Sequence, residues 1–460
     1  MPERTGKRMQ ERIIGLQDCY HSGATLEADF RRGQLEALRR AVKKREAQLT
    51  EALQADLGKA PFEAYATEIG MVYEEIALAL KHLNRWMRDR RRPTPISQFP
   101  ARSCIHYEPY GTALIIAPWN YPVQLSLSPL VGALAAGNAA LVKPSEHAPA
   151  VAQVLEAVIG DMASPAAACM QGGREETQAL LKQPFDLIFF TGSVEVGKAV
   201  MAAAAQNLTP VVLELGGKSP CILAPDADLP LAARRIAWGK WLNAGQTCVA
   251  PDYVLCPKDK VEETAERLRQ AAVRQFGPQP LESGDYPRII NEKHFDRLTR
   301  LIKASDVIWG GESDRERLRI GPTVIAAGWD SPVMEEEIFG PLLPVVAYDR
   351  LEEALDQVRL RPRPLALYFF TGSRPLARRV MRSVSFGGGC VNDTVVHLVN
   401  PHLPFGGVGS SGMGCYHGRH SFEAFSHKKA IMTRGAWLDL PVRYPPYHEK
   451  AERVVRRLMK

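Results

Sequence analysis

Between Glu108 and Lys143 the chain carries no charged side chain. An uncharged run of that length reaches across a bilayer, but this one contains Pro118, Pro122, Pro129, Asn120, Asn138 and three glycines. A lipid-exposed helix cannot satisfy its backbone through so many breaks. The run therefore predicts a strand, a loop, a helix and a second strand, all buried in protein. Such a stretch fits a deep core beside a ligand site; a plain core has the same composition.

The flanking sequence extends the pattern. Residues 25–90 read as helix, with Leu35, Leu38, Val42 and Leu49, then Ile69, Val72, Ile76, Leu80 and Leu83, at helical spacing. Pro93, Pro95 and Pro100 close that region. Beyond Gly111, apolar runs such as Ala113–Ala117, Ala140–Lys143, Leu187–Phe190, Val211–Leu213, Leu343–Val346 and Ala366–Phe370 alternate with Ala-rich helical segments. That alternation implies βαβ units and an α/β fold with parallel sheets covered on both faces. The segment Phe-Phe-Thr-Gly-Ser occurs at Phe189–Ser193 and again at Phe369–Ser373. Two α/β domains of related plan would produce it, as would coincidence over five residues. At ~150 residues per domain, 460 residues make three domains or two large ones.

The eight cysteines form no CxxC pair and have no His at finger-like spacing. Reduced thiols are expected rather than a disulfide framework, and no metal site is read; Cys390, His397 and His402 are taken as loop residues. The charged N-terminus has no apolar signal-peptide core, which points to the cytoplasm. Of the net charge of +7, Arg85–Arg92 supplies +4 and Glu449–Lys460 supplies +3. No basic patch interleaved with aromatics points to nucleic acid. The tail sets Ala451, Val454, Val455, Leu458 and Met459 on one helical face, opposite Glu452, Arg453, Arg456, Arg457 and Lys460. That face suits a solvated surface, a partner subunit, or weak peripheral contact with anionic lipid at the inner face of a membrane.

Four segments carry residues suited to chemistry. Thr191-Gly192-Ser193, with Gly197 and Lys198 beyond, joins a strand to a helix, a geometry that receives phosphate; ligand-free turns share it. Glu214 stands among apolar residues before Gly216-Gly217, where burial would raise its pKa toward general-base work; the alternative is a Glu paired to a Lys. Cys248 lies on a Gly-bounded loop that suits a thiol nucleophile, although most lone cysteines are buried hydrophobes. Asn120, between Pro118 and Pro122, sits on a rigid loop after a strand, where its amide suits an oxyanion or simply a turn.

These four segments, with Lys143-Pro-Ser-Glu146 and Glu336-Glu337-Ile-Phe339-Gly-Pro341, resemble the aldehyde dehydrogenase superfamily in content and in order, over nearly the whole chain. The short N-terminus and the ending Pro404–Gly418, followed by Ser421-Phe422 and Phe425-Ser426-His427, are similar to the class 3 branch. The resemblance implies two Rossmann-like parallel-sheet domains and a small bridging, oligomerising element. Their expected limits are 1–212 for cofactor binding, including a bridging segment near 85–105, 213–412 for catalysis, and 413–460 for the tail.

It further implies NAD(P)-dependent oxidation of medium- to long-chain aliphatic or aromatic aldehydes to carboxylic acids. Cys248 matches the nucleophile, which passes through a thiohemiacetal and a thioester. Asn120 and the Cys248 N–H match the oxyanion hole, and Glu214 matches the base that activates water. Lys143 and Glu146 match the adenine-ribose contacts, Gly192 and Ser193 the pyrophosphate turn, and Glu337 and Phe339 the nicotinamide-ribose contacts. Trp119 matches the cofactor wall. Glu146 favours NAD and Lys143 tolerates NADP; relatives are usually homodimers. Some class 3 relatives end in an apolar anchor that this tail lacks. Rival readings are a cofactor-free thiol esterase and a non-catalytic binding protein on the same scaffold.

Overall fold

The computed structural model describes residues 2–439 and 441–459. Two parallel-based sheets carry the architecture, with helices on their faces. A six-stranded sheet runs in the order Gly412–Met413, Val211–Glu214, Leu187–Thr191, Thr112–Ile116, Ala139–Lys143, Ala167–Cys169. Only its first pair is antiparallel. A seven-stranded sheet runs in the order Asp306–Trp309, Thr323–Ala327, Leu342–Tyr348, Tyr253–Pro257, Pro220–Leu223, Ala366–Phe370, Gly388–Val391. It too is parallel apart from its first pair. A small antiparallel sheet joins Arg90–Arg92, Arg102–Pro109 and Ser426–Thr433.

The uncharged run folds as its composition requires. Strands Thr112–Ile116 and Ala139–Lys143 are buried along their whole length, and so is the helix Gln124–Ala136 between them. A helix apolar on every side must be surrounded by protein. Gly132 admits that closeness, because a Cβ there would press on Ser421 and Phe425 of the neighbouring helix. The N-terminal residues form the helix Pro2–His21, which buries Met9, Ile13, Leu16 and Cys19 and leaves most of its charges outside. Cys390 lies on strand Gly388–Val391 beside Tyr368 rather than in a loop, and its sulfur is 3.7 Å from His397 Nδ1. All eight cysteines are free. Among the described residues no helix is long and apolar enough to cross a membrane.

The order of strands departs from a linear division of the chain. Strand Val211–Glu214 belongs wholly to the first sheet, and the chain enters the second at Pro220. Gly412–Met413 then returns to the first sheet, pairing with Glu214 and Leu213. A boundary at 212/213 thus cuts a strand, because Val211, Val212 and Leu213 continue one run of ladder pairs with Ile188, Phe189 and Phe190.

Candidate active site

The carboxyl ends of the strands of the six-stranded sheet, and the loops beyond them, carry Trp119, Asn120, Lys143, Glu146, Gly192, Ser193 and Glu214. Cys248 lies on the segment leading into strand Tyr253–Pro257, and Glu337 and Phe339 on that leading into Leu342–Tyr348. Side-chain to backbone bonds tie the two groups together. Asn120 Nδ2 donates to the Gln246 carbonyl at 3.1 Å. Asn243 Nδ2 donates to the Asn120 carbonyl at 2.8 Å. The Tyr121 and Thr247 hydroxyls are 2.6 Å apart. The Asn120 amide has two N–H bonds, so the one on Gln246 sets the plane and the other remains for a ligand oxygen.

The loop before Cys248 is bent by consecutive left-handed residues, Asn243 at φ 50°, Ala244 at φ 52° and Gly245 at φ 75°. Non-glycine residues hold that conformation at a cost of about 1–3 kcal/mol each. The Glu63 carboxylate secures the turn by accepting from the Asn243 N–H at 2.9 Å. Burial pushes the Glu63 carboxyl up to about 7.

Glu214 is buried, and neither of its oxygens has a hydrogen-bond partner. It is therefore not paired to a lysine; Lys218 pairs instead with Asp252 at 2.5 Å. Burial holds the Glu214 carboxyl well above the usual carboxylate range. Burial, reinforced by the Glu337 and Glu214 charges, pushes the Cys248 thiol up to about 12. The thiol is thus protonated at neutral pH.

Glu337 lies against Gly216 and accepts from the Gly217 N–H, and burial pushes it up to about 8. Lys218 clamps its loop, donating to the carbonyls of Val333 and Glu336 at 2.8 Å each. The Ile338 N–H donates to Asp252 at 3.0 Å. Phe339 stands edge-on to Trp119 with ring centroids 5.3 Å apart. Lys143 Nζ is 2.9 Å from Glu146, the lysine buried and the carboxylate partly exposed. Lys240 is fully buried near Asp252 and Glu337 with no partner for its ammonium, and burial lowers it to about 8. Sequence reasoning passed over Lys240, although its place four residues after Ile236 puts a cation on the apolar face of helix Leu229–Trp241.

The two Phe-Phe-Thr-Gly-Ser copies adopt the same strand–turn–helix. Ser193 and Ser373 each cap a helix, accepting from Val196 N–H at 3.4 Å and Leu376 N–H at 3.3 Å. In the second copy, Thr371 Oγ1 and the Gly372 N–H bind the Asp226 carboxylate at 2.7 and 3.1 Å. In the first, Thr191 Oγ1 is buried without a partner. The second turn shows that this geometry receives anionic oxygens; the first leaves its hydroxyl without one.

A family model described as "Aldehyde dehydrogenase family" matches residues 10–431. The chain is 46% identical over 446 residues to a 4,4'-diaponeurosporen-aldehyde dehydrogenase of Staphylococcus aureus, covering 96% of this chain and 97% of that protein. It is 45% identical to aldehyde dehydrogenase family 3 member B1 of Homo sapiens, covering 96% and 95% of the two chains. A structure described as the substrate-bound state of Staphylococcus aureus AldH superposes with a TM-score of 0.96 at 44% identity, over 98% of this chain and 99% of that one. The chain belongs to the aldehyde dehydrogenase family, enzymes that oxidise aldehydes to carboxylic acids.

Proposed function

We propose that this chain oxidises medium- to long-chain aliphatic or aromatic aldehydes through a covalent intermediate on Cys248. The observation that carries the reading is the joining of three groups: a thiol at Cys248, a buried unpartnered carboxylate at Glu214, and the Asn120 amide hydrogen-bonded to the loop that carries the thiol. The Cys248 thiol gives its proton to solvent as sulfur bonds the aldehyde carbon. The carbonyl oxygen, now an oxyanion, is received by the second N–H of Asn120 and by the Cys248 backbone N–H. Each such donor is worth ~10²–10³ in rate. After oxidation, a water that gives its proton to Glu214 breaks the carbon–sulfur bond and releases the acid.

The residues fit a nicotinamide dinucleotide. The unpartnered Thr191 hydroxyl, with Gly192 and Ser193 at a helix N-terminus, suits the pyrophosphate. Lys143 and Glu146 would hold the adenine ribose. Glu337 and Phe339 would hold the nicotinamide ribose, with Trp119 as the wall. The Lys143–Glu146 pair presents both signs of charge, so NAD is the proposed cofactor with NADP admitted. When bound, this group supplies the hydride acceptor that the oxidation needs. Solved relatives of the fold are described as complexed with NAD or with NADP.

The antiparallel sheet and the tail are proposed as the homodimer surface. Helix Glu449–Leu458 leaves Val454, Val455 and Met459 exposed, a face that suits a second subunit or anionic lipid. The deciding experiment for the chemistry is an aldehyde panel of increasing chain length read by NADH and NADPH formation. Cys248→Ala is expected to abolish turnover with every aldehyde. Oxidation by that variant at the parental rate would end the reading.

A further inference from the structure

Helix Ala28–Leu57 stops at Gly58, whose φ of 69° turns the chain left-handed. Lys59 is thereby sent into the core, where its side chain is fully buried. Its ammonium has three neighbours. It is 2.6 Å from Glu68 Oε1, 3.0 Å from the Asn120 carbonyl oxygen, and 3.9 Å from the centre of the Tyr121 ring. Glu68 completes the block from a π turn, Tyr65–Ile69. Its second oxygen accepts from the Val123 and Gln124 N–H groups at 2.8 and 3.2 Å. Glu63, five residues earlier, holds the turn before Cys248.

This arrangement is costly for packing alone. Two charges are taken fully out of water, and a well-packed apolar pair of similar volume would serve stability equally well or better. What an apolar pair could not do is donate to a backbone carbonyl at the one residue whose amide must be aimed. We infer that Lys59 is a positioning residue for oxyanion stabilisation: its ammonium holds the Asn120 carbonyl, Glu68 holds the two N–H groups just beyond Asn120, and between them they fix the direction of the Asn120 amide. Neither side chain touches the reacting atoms. Their effect reaches the chemistry through Asn120, so the inference rests on the oxyanion role proposed above for that residue.

The test is a cycle of Lys59→Met, Asn120→Ala and the double variant, in the full chain. Turnover is measured per active site, counted by alkylation of Cys248, so that misfolded protein does not enter the rate. A displacement of reacting groups by about 1 Å costs about 10²-fold. Lys59→Met is therefore expected to lower the rate of the acylation burst about 10- to 100-fold, with KM for NAD unchanged. In the Asn120→Ala background the same change is expected to lower it no further. Equal losses in both backgrounds would overturn the inference, as would a parental burst rate in Lys59→Met. If Asn120→Ala alone keeps the parental rate, it is the oxyanion reading that fails, and this inference with it. Should Lys59→Met fail to fold, Lys59→Met/Glu68→Gln runs the same cycle. It leaves no buried charge behind and keeps an oxygen for the Val123 and Gln124 N–H groups. The same loss and the same lack of additivity are expected of it.

Discussion

Glu214 and Cys248 show how burial moves a side chain's hold on its proton. Glu214 has no partner to stabilise its charge, so it takes a proton readily. Under the proposed mechanism, replacing it with glutamine removes the base that activates water but leaves the thiol and the Asn120 amide. Glu214→Gln is expected to keep a burst of NADH while steady turnover falls about 10²-fold or more. Loss of the burst together with turnover would instead assign Glu214 to the acylation half. Cys248 makes the second residue-scale prediction. Its thiol is pushed up to about 12, so the thiolate fraction grows about tenfold per pH unit throughout the neutral and mildly alkaline range. Iodoacetamide inactivation of the cofactor-free enzyme is expected to speed up about 100-fold from pH 7 to pH 9. A plateau near pH 8 would mean that neither burial nor the Glu337 and Glu214 charges raise the thiol. These residues were legible because each sits in a short motif, and motif and chemistry lie within a few positions. Lys59, Glu63 and Glu68 were not, because a lysine after a helix C-cap looks like any exposed lysine until its surroundings are known.

Loops between elements decide where those groups point. The loop carrying Glu337 is anchored at both sides of that residue, by Lys218 on the Glu336 carbonyl and by Asp252 on the Ile338 N–H. Lys218→Met removes the clamp without touching the thiol. A charged hydrogen bond is worth about 1.5–3 kcal/mol, so KM for NAD is expected to rise about tenfold or more with a much smaller change in kcat. The reverse split would place Lys218 in the chemical step. The loop before Cys248 is confined differently. A Cβ on Gly245 would run into the Gly340 carbonyl, and the φ of 75° disfavours any side chain. Gly245→Ala is expected to destabilise by more than about 1 kcal/mol and to lower activity per folded molecule, read from thermal melting and active-site alkylation. At this scale the apolar runs foretold every principal strand of the six-stranded sheet except the short Ala167–Cys169 and Gly412–Met413. The first hides in an ordinary Ala-rich stretch, and the second exists only because it meets Glu214 and Leu213.

For the whole molecule, the tail is the proposed docking face. Truncation after Tyr447 removes helix Glu449–Leu458 with its exposed Val454, Val455 and Met459. If that face docks on a second subunit, sedimentation is expected to show a weakened dimer. If it meets anionic lipid, binding to phosphatidylserine vesicles is expected to fall. A dimer that survives truncation unchanged excludes the first, and vesicle binding that survives excludes the second. The amino-acid order by itself determined the α/β class and the buried run between Glu108 and Lys143, and it put forward the thiol, the carboxylate and the amide as candidates. Periodicity and turn chemistry are local properties, and local properties are written in neighbouring residues. Only the tertiary structure decided that Glu214 stands unpaired, that Lys218 serves Asp252, and that a buried lysine from a helix end grips the carbonyl of Asn120. Each of these joins residues at least 34 positions apart or depends on what does not come near, and which charges lose their water is settled by packing rather than by order along the chain.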